Sequence, residues 1–191
     1  MRIVPIVEGH GEVSAVPVLL RRLAAATGAN VEVSRPIRQP KGRLVKESEL
    51  RRAVALAAKQ TGTDDGILVL LDADSDCPAQ FGPQLLAWAR AERGDRRIAV
   101  VLANREFEAW FLAAADSLVV AGKLPAGTAP PNTPETIADP KGWLSTAMGR
   151  RHSETIDQPA FAACVDLAAA RRCRSFDKLA RSVAALPATR A

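Results

Sequence analysis

Apolar residues dominate three short stretches of the chain: Ile3–Val7, interrupted only by Pro5, then Ile67–Leu71 and Ile98–Leu102. Runs of this length, bounded by charged residues and glycine, predict strands buried on both faces. Between them the apolar positions recur at helical spacing. Val16, Leu19, Leu20 and Leu23 predict a helix over 13–26, stopped by Gly28. Leu50, Val54 and Ala57 predict another over 46–60; Leu85, Leu86 and Trp88 one over 79–93; Phe107, Trp110, Phe111 and Ala114 one over 105–118. Residues 31–38 read as one further strand. The alternation over 1–118 predicts an α/β core: a mostly parallel central sheet of about four strands with helices on both faces. Residues 123–141 form a proline-rich loop and 142–185 read as helical. The expected organisation is therefore a core over 1–118, with a loop and helical extension over 119–191 packed on the same domain.

In open parallel sheets, ligands bind beyond the carboxyl ends of the strands. Three loops fall there, and all three are acidic. They carry Glu8 and Glu12, then Asp72, Asp74 and Asp76, then Glu106 and Glu108. Crowded carboxylates repel one another, and a hard cation relieves that repulsion. A set with oxygen donors only suits magnesium, manganese or calcium. Glu106 and Glu108 stand two apart on the predicted helix, so only one of them is expected to face the site. Asp76 reads equally as a helix cap. Two histidines, His10 and His152, are too few for an imidazole-based centre, and Cys77, Cys164 and Cys173 form no ligand pair. The odd cysteine count fits a reducing compartment. No Gly-x-x-x-x-Gly-Lys-[Ser/Thr] motif is present, and Gly9-His-Gly-Glu-Val-Ser14 lacks the third glycine of a dinucleotide loop.

Charge and composition narrow the picture further. The 191 residues carry a formal charge of +5 and contain no tyrosine, which excludes any tyrosyl nucleophile. From Ser145 onward there are eight basic residues against four acidic. Arg38, Lys41 and Arg43 form one basic loop; Arg150, Arg151, Arg171, Arg172 and Arg174 supply a second candidate surface for phosphate contacts with nucleic acid. Trp88, Trp110 and Trp143 read as core residues, and Ser175 as the cap of a helix with Phe176 in the core. Glu8 follows the first apolar run at once, unlike a secretory signal, and no run reaches the ~18 residues of a membrane span. A cytoplasmic protein without membrane contact is expected.

Val7-Glu-Gly-His-Gly-Glu12, followed by Leu70-Leu-Asp-Ala-Asp-Ser-Asp76, resembles the Toprim domain. That Rossmann-like domain is shared by topoisomerases, primases, recombination proteins and nucleases of the overcoming-lysogenization-defect type. The spacing of Glu8 and Glu12 resembles the nuclease branch. Asn104-Arg-Glu-Phe-Glu-Ala-Trp-Phe-Leu112 and Asp139-Pro-Lys-Gly-Trp-Leu144 resemble a group of short stand-alone bacterial Toprim-like proteins. The resemblance implies a magnesium (or manganese) nuclease in which Glu8 is a metal ligand or general base and Asp72 and Asp74 are metal ligands. Glu12 would be the second acidic residue of that branch. Glu106 or Glu108 would serve a second metal, and Lys141 would be the catalytic lysine. Strand passage needs a tyrosine, so the resemblance points to hydrolysis. It also implies a separate ATPase partner chain of the AAA or ABC type, and a setting in phage defence or DNA repair. Two other functions fit the same residues: a non-catalytic metal- or nucleic-acid-binding subunit of an ATPase, and phosphotransfer on a small nucleotide.

Overall fold

The computed structural model describes residues 1–187; Ala188 to Ala191 of the expected extension, Arg190 among them, lie outside the described residues. In chain order the elements are β1 (Arg2–Val7), α1 (Glu12–Ala26), β2 (Glu32–Val33), β3 (Ile37–Arg38), α2 (Lys41–Leu44), α3 (Glu47–Ala58), β4 (Gly66–Asp72), α4 (Pro78–Arg93), β5 (Arg97–Ala103), α5 (Ala109–Ala113) and α6 (Ala115–Val120). A 3₁₀ turn over Pro134–Thr136 precedes α7 (Pro140–Met148), α8 (Glu154–Cys164), α9 (Leu167–Ala170) and α10 (Arg174–Ala185). The sheet runs β2-β1-β4-β5, with β3 also paired to β1, and every pairing is parallel. Among the described residues no helix is long and apolar enough to cross a membrane.

The expected strand over 31–38 is two short strands, and two prolines explain the gap. Met1, Ile3 and Val7 accept hydrogen bonds from Glu32, Ser34 and Gln39 through their carbonyls. Alternate residues of β1 therefore turn their polar groups to that edge, and Pro5 is the one in the middle. It has no N–H to offer, and Pro36 opposite has none either, so the ladder lapses between Ser34 and Ile37.

The two faces of the sheet divide the core by strand periodicity. Ile3, Val7, Leu68, Leu70, Val101 and Ala103 pack beneath α1, α5, α6, α8 and α10. Val4, Ile6, Ile67, Val69, Leu71, Val100 and Leu102 pack beneath α3 and α4. Phe161 of α8 and Phe176 of α10 lie in the first cluster with Phe107, Trp110 and Phe111, ring edge to ring face. The extension thus completes one side of the core.

The expected helix over 105–118 starts late and breaks. Residues 105–108 form a turn, and the helix bends at Ala114 (φ −115°, ψ 29°) between α5 and α6. Further on, Asp139 caps α7 by accepting from Gly142 N at 2.7 Å, Pro140 starts it, and Gly149 ends it at φ 64°. Ser175 lies inside α10 and does not cap it. The carboxylate of Glu135 accepts from the Arg174 and Ser175 N–H groups, each at 3.0 Å. The Ser175 hydroxyl in turn accepts from Trp110 Nε1 at 2.7 Å. Glu135→Ala is expected to destabilise the fold by about 1–2 kcal/mol, the usual cost of a lost helix cap, in a thermal or urea melt.

Candidate metal centre

Two strand ends and one helix start meet at the carboxyl edge of the sheet. Glu8 follows β1, Glu12 opens α1, and Asp72 ends β4. Glu12 Oε2 accepts from the Glu8 and Gly9 N–H groups at 3.1 and 3.3 Å, closing the turn. The N–H of Asp72 donates to Glu8 Oε1 at 3.4 Å. Asp72 Oδ1 accepts from Phe107 N at 2.7 Å, which ties β4 to the turn after β5. One carboxylate oxygen from each of Glu8, Glu12 and Asp72 lies within 4.8 Å of the others. Glu12 is only 3% exposed and Asp72 6%. Glu8 Oε2 is buried without a hydrogen-bond partner.

Burial and mutual repulsion act together here. Burial pushes Glu12 up to about 8, and the neighbouring Glu8 adds to the rise. Burial, then Glu12, Glu8 and Glu108, holds Asp72 well above the usual carboxylate range. Glu8 is raised as well, chiefly by burial. The triad therefore resists triple ionisation unless a positive charge enters it. An all-oxygen donor set with an unpartnered buried oxygen fits a hard divalent cation.

A second group of side chains adjoins the triad. Lys141 Nζ lies 3.7 Å from Glu106 Oε1, 3.9 Å from Glu108 Oε2 and 3.2 Å from Glu154 Oε1. Burial works against the ammonium, yet Glu108, Glu106, Asp72 and Glu154 together raise its pKa. Glu108 is fully buried, and burial carries it up to about 7. Its Oε1 accepts from Gln158 Nε2 at 2.8 Å and stands 3.7 Å from His152 Nδ1. Burial lowers the pKa of His152.

The expected ligands are thus brought together only in part. Both Glu106 and Glu108 reach the lysine, where helical spacing allowed only one to face the site. They lie in the 105–108 turn, not on a helix, so the spacing rule does not apply. Asp74 stands outside the triad: it takes a left-handed φ of 51° and pairs with Lys41 Nζ at 2.6 Å. Its N–H donates to the Arg105 carbonyl at 2.9 Å, and Arg105 is left-handed too, at φ 64°. These two strained residues extend the β4–β5 pairing past the strand ends. Asp76 is exposed, and α4 begins without a side-chain cap.

The basic residues separate by location. Lys41 opens the short helix α2 and pairs with Asp74, and Arg38 donates to the Glu8 carbonyl at 3.4 Å, so these two border the acidic edge; Arg43, two positions after Lys41, is exposed. In the extension, Arg150 is held bidentately by Asp157 at 2.6 and 2.8 Å, and Arg171 pairs with Asp177 at 2.8 Å. Arg172 donates to the Ala113 and Pro131 carbonyls, while Arg151 and Arg174 are exposed. None of the triad lines the groove of about 740 Å³ between α4, β5 and α10.

Glu154 and Gln158 escaped the sequence reading, and His152 entered it only as one of two histidines too few for an imidazole-based centre. Gln158 and His152 meet Glu108 across 50 and 44 positions, and Glu154 meets Lys141 across a turn and a change of helix, so no local pattern marks them. They approach because α8 packs on the turn after β1 at Gly11. A side chain on Gly11 would strike Gln158 and the Glu154 carbonyl. Gly11→Ala is expected to cost about 2–3 kcal/mol, since a backbone carbonyl cannot swing aside as a side chain would. A thermal melt checks this; an unchanged midpoint would contradict the packing.

A family model described as "Domain of unknown function (DUF4276)" matches residues 7–184. No curated protein and no solved structure matches the chain.

Proposed function

The chain belongs to the DUF4276 family, and we propose that it is a metal-dependent phosphodiesterase acting on nucleic acid. The observation that carries this reading is the buried triad of Glu8, Glu12 and Asp72, three carboxylates within 4.8 Å whose charges need a cation. The Toprim resemblance of the same residues supports it. Glu8, Glu12 and Asp72 would hold magnesium or manganese, which when bound supplies Lewis-acid polarisation of a phosphoryl oxygen and a more acidic water.

The protein's own part is positioning and charge. Phe107 N–H fixes the Asp72 carboxylate, and the Glu8 and Gly9 N–H groups fix that of Glu12. Glu8, with one unpartnered oxygen, is the group free to accept a proton from a bound water. Arg38 and Lys41 flank the edge, with Arg43 exposed two positions on, and such cations would meet a phosphate backbone without reading its sequence. Lys141 offsets negative charge among Glu106, Glu108 and Glu154. A separate ATPase chain is the partner that the resemblance implies.

The test is incubation of the purified protein with single- and double-stranded DNA and RNA, with magnesium, manganese or a chelator. Cleavage that needs the metal and weakens steeply with salt supports the reading; no cleavage of any substrate under any metal overturns it.

A further inference from the structure

We infer that the centre takes a single divalent cation, and that the Lys141 ammonium holds the place a second would occupy; this rests on the metal reading above. Three carboxylates converge on Lys141 Nζ: Glu106 and Glu108 from the turn after β5, and Glu154 from α8, at 3.2–3.9 Å. Such a convergence is the usual shape of a cation-holding pocket. Here the cation is built into the chain.

The lysine is not a loose surface side chain. It is the second residue of α7, whose start is fixed by Asp139 and Pro140. Its carbonyl accepts from the Ser145 hydroxyl at 2.8 Å, and its side chain is two-thirds covered. Two of the carboxylates around it are held as firmly, while the Glu154 side chain is 42% exposed. Glu108 has no exposed surface, and Glu106 Oε2 and Glu108 Oε2 are buried without hydrogen-bond partners. Two of the three contacts exceed hydrogen-bond length, so the ammonium acts there by charge alone. Glu108 Oε2, which faces the ammonium at 3.9 Å, is a donor that a metal would claim if the ammonium were absent. While it is present, a second divalent ion there would meet a fixed positive charge in its own coordination space.

The inference is tested by counting manganese ions bound per chain, by calorimetry and by electron paramagnetic resonance. One ion is expected for the wild-type protein and two for Lys141→Ala. Adding Glu108→Gln to that variant is expected to return the count to one. Lys141→Met, which keeps the apolar stem, carries the same expectation and replaces the alanine variant if that fails to fold. Two ions in the wild-type protein, or one in a folded Lys141→Ala or Lys141→Met, overturn the inference while leaving the metal reading intact. No bound manganese in the wild-type protein overturns both.

Discussion

Asp72→Asn is expected to lower metal-dependent cleavage of nucleic acid by about a thousandfold or more, with the fold preserved. The size follows from the several kcal/mol that a catalytic metal contributes, at 1.36 kcal/mol per tenfold in rate. Asparagine keeps an oxygen for the Phe107 N–H, so the link from β4 to the turn after β5 survives. It removes the charge that Glu8 and Glu12 share with Asp72 across the centre. The measurement is single-turnover cleavage beside a thermal melt. Equal rates for the variant and the wild-type protein would remove Asp72 from the chemistry, and with it the hydrolytic reading.

The metal-free protein is expected to lose stability as pH rises from 6.5 to 8.5, and to recover it on adding magnesium or manganese. Glu12 has a folded pKa of about 8 and Glu108 of about 7, both above the ordinary value of 4.5. A raised folded pKa means that the folded state holds a proton the unfolded chain has released. The resulting stability is full below the unfolded pKa and disappears as pH climbs through the folded one. The chosen window covers the last part of that loss, where Glu12 and Glu108 release their protons; the rest falls between the unfolded pKa and pH 6.5. His152, whose folded pKa is lowered, acts only below about 6.5 and so stays out of it. At up to 1.36 kcal/mol per pH unit and group, the loss is about 2–3 kcal/mol, or roughly 5–10 °C in melting temperature for a chain of this length. Glu12→Gln, which keeps the acceptor for the Glu8 and Gly9 N–H groups, should flatten the profile. A flat profile in the wild-type protein would show that these carboxylates are not strained.

The buried strands were legible because their information is local. The apolar runs at 3–7, 67–71 and 98–102 end within a residue of β1, β4 and β5. Glu8 and Asp72 could be placed for the same reason, since a strand end fixes where the next residue emerges. Failures began where a residue's fate depends on a distant partner. Pro5 looked like a blemish in one strand, but its effect was to split another strand thirty residues later. Arg105 and Asp74 take strained conformations that only their mutual hydrogen bonding explains. Glu106 and Glu108 were read on helical spacing, yet the helix starts at Ala109. Asp74 belonged to the same apparent pair as Asp72, but Lys41, thirty-three positions earlier, draws it aside.

The seating of α8 against Gly11 also bears on biosynthesis. Glu8, Glu12 and Asp72 leave the ribosome first, while Lys141, Glu154 and Gln158 follow tens of residues later. At ordinary translation speeds the interval is on the order of ten seconds. Throughout it the nascent core displays crowded carboxylates and an uncovered apolar face, with neither the lysine nor α8 to offset them. The centre is complete only once α7 and α8 have emerged and packed. Shortened expression products ending near residue 118 should therefore aggregate, even though they hold every strand of the sheet.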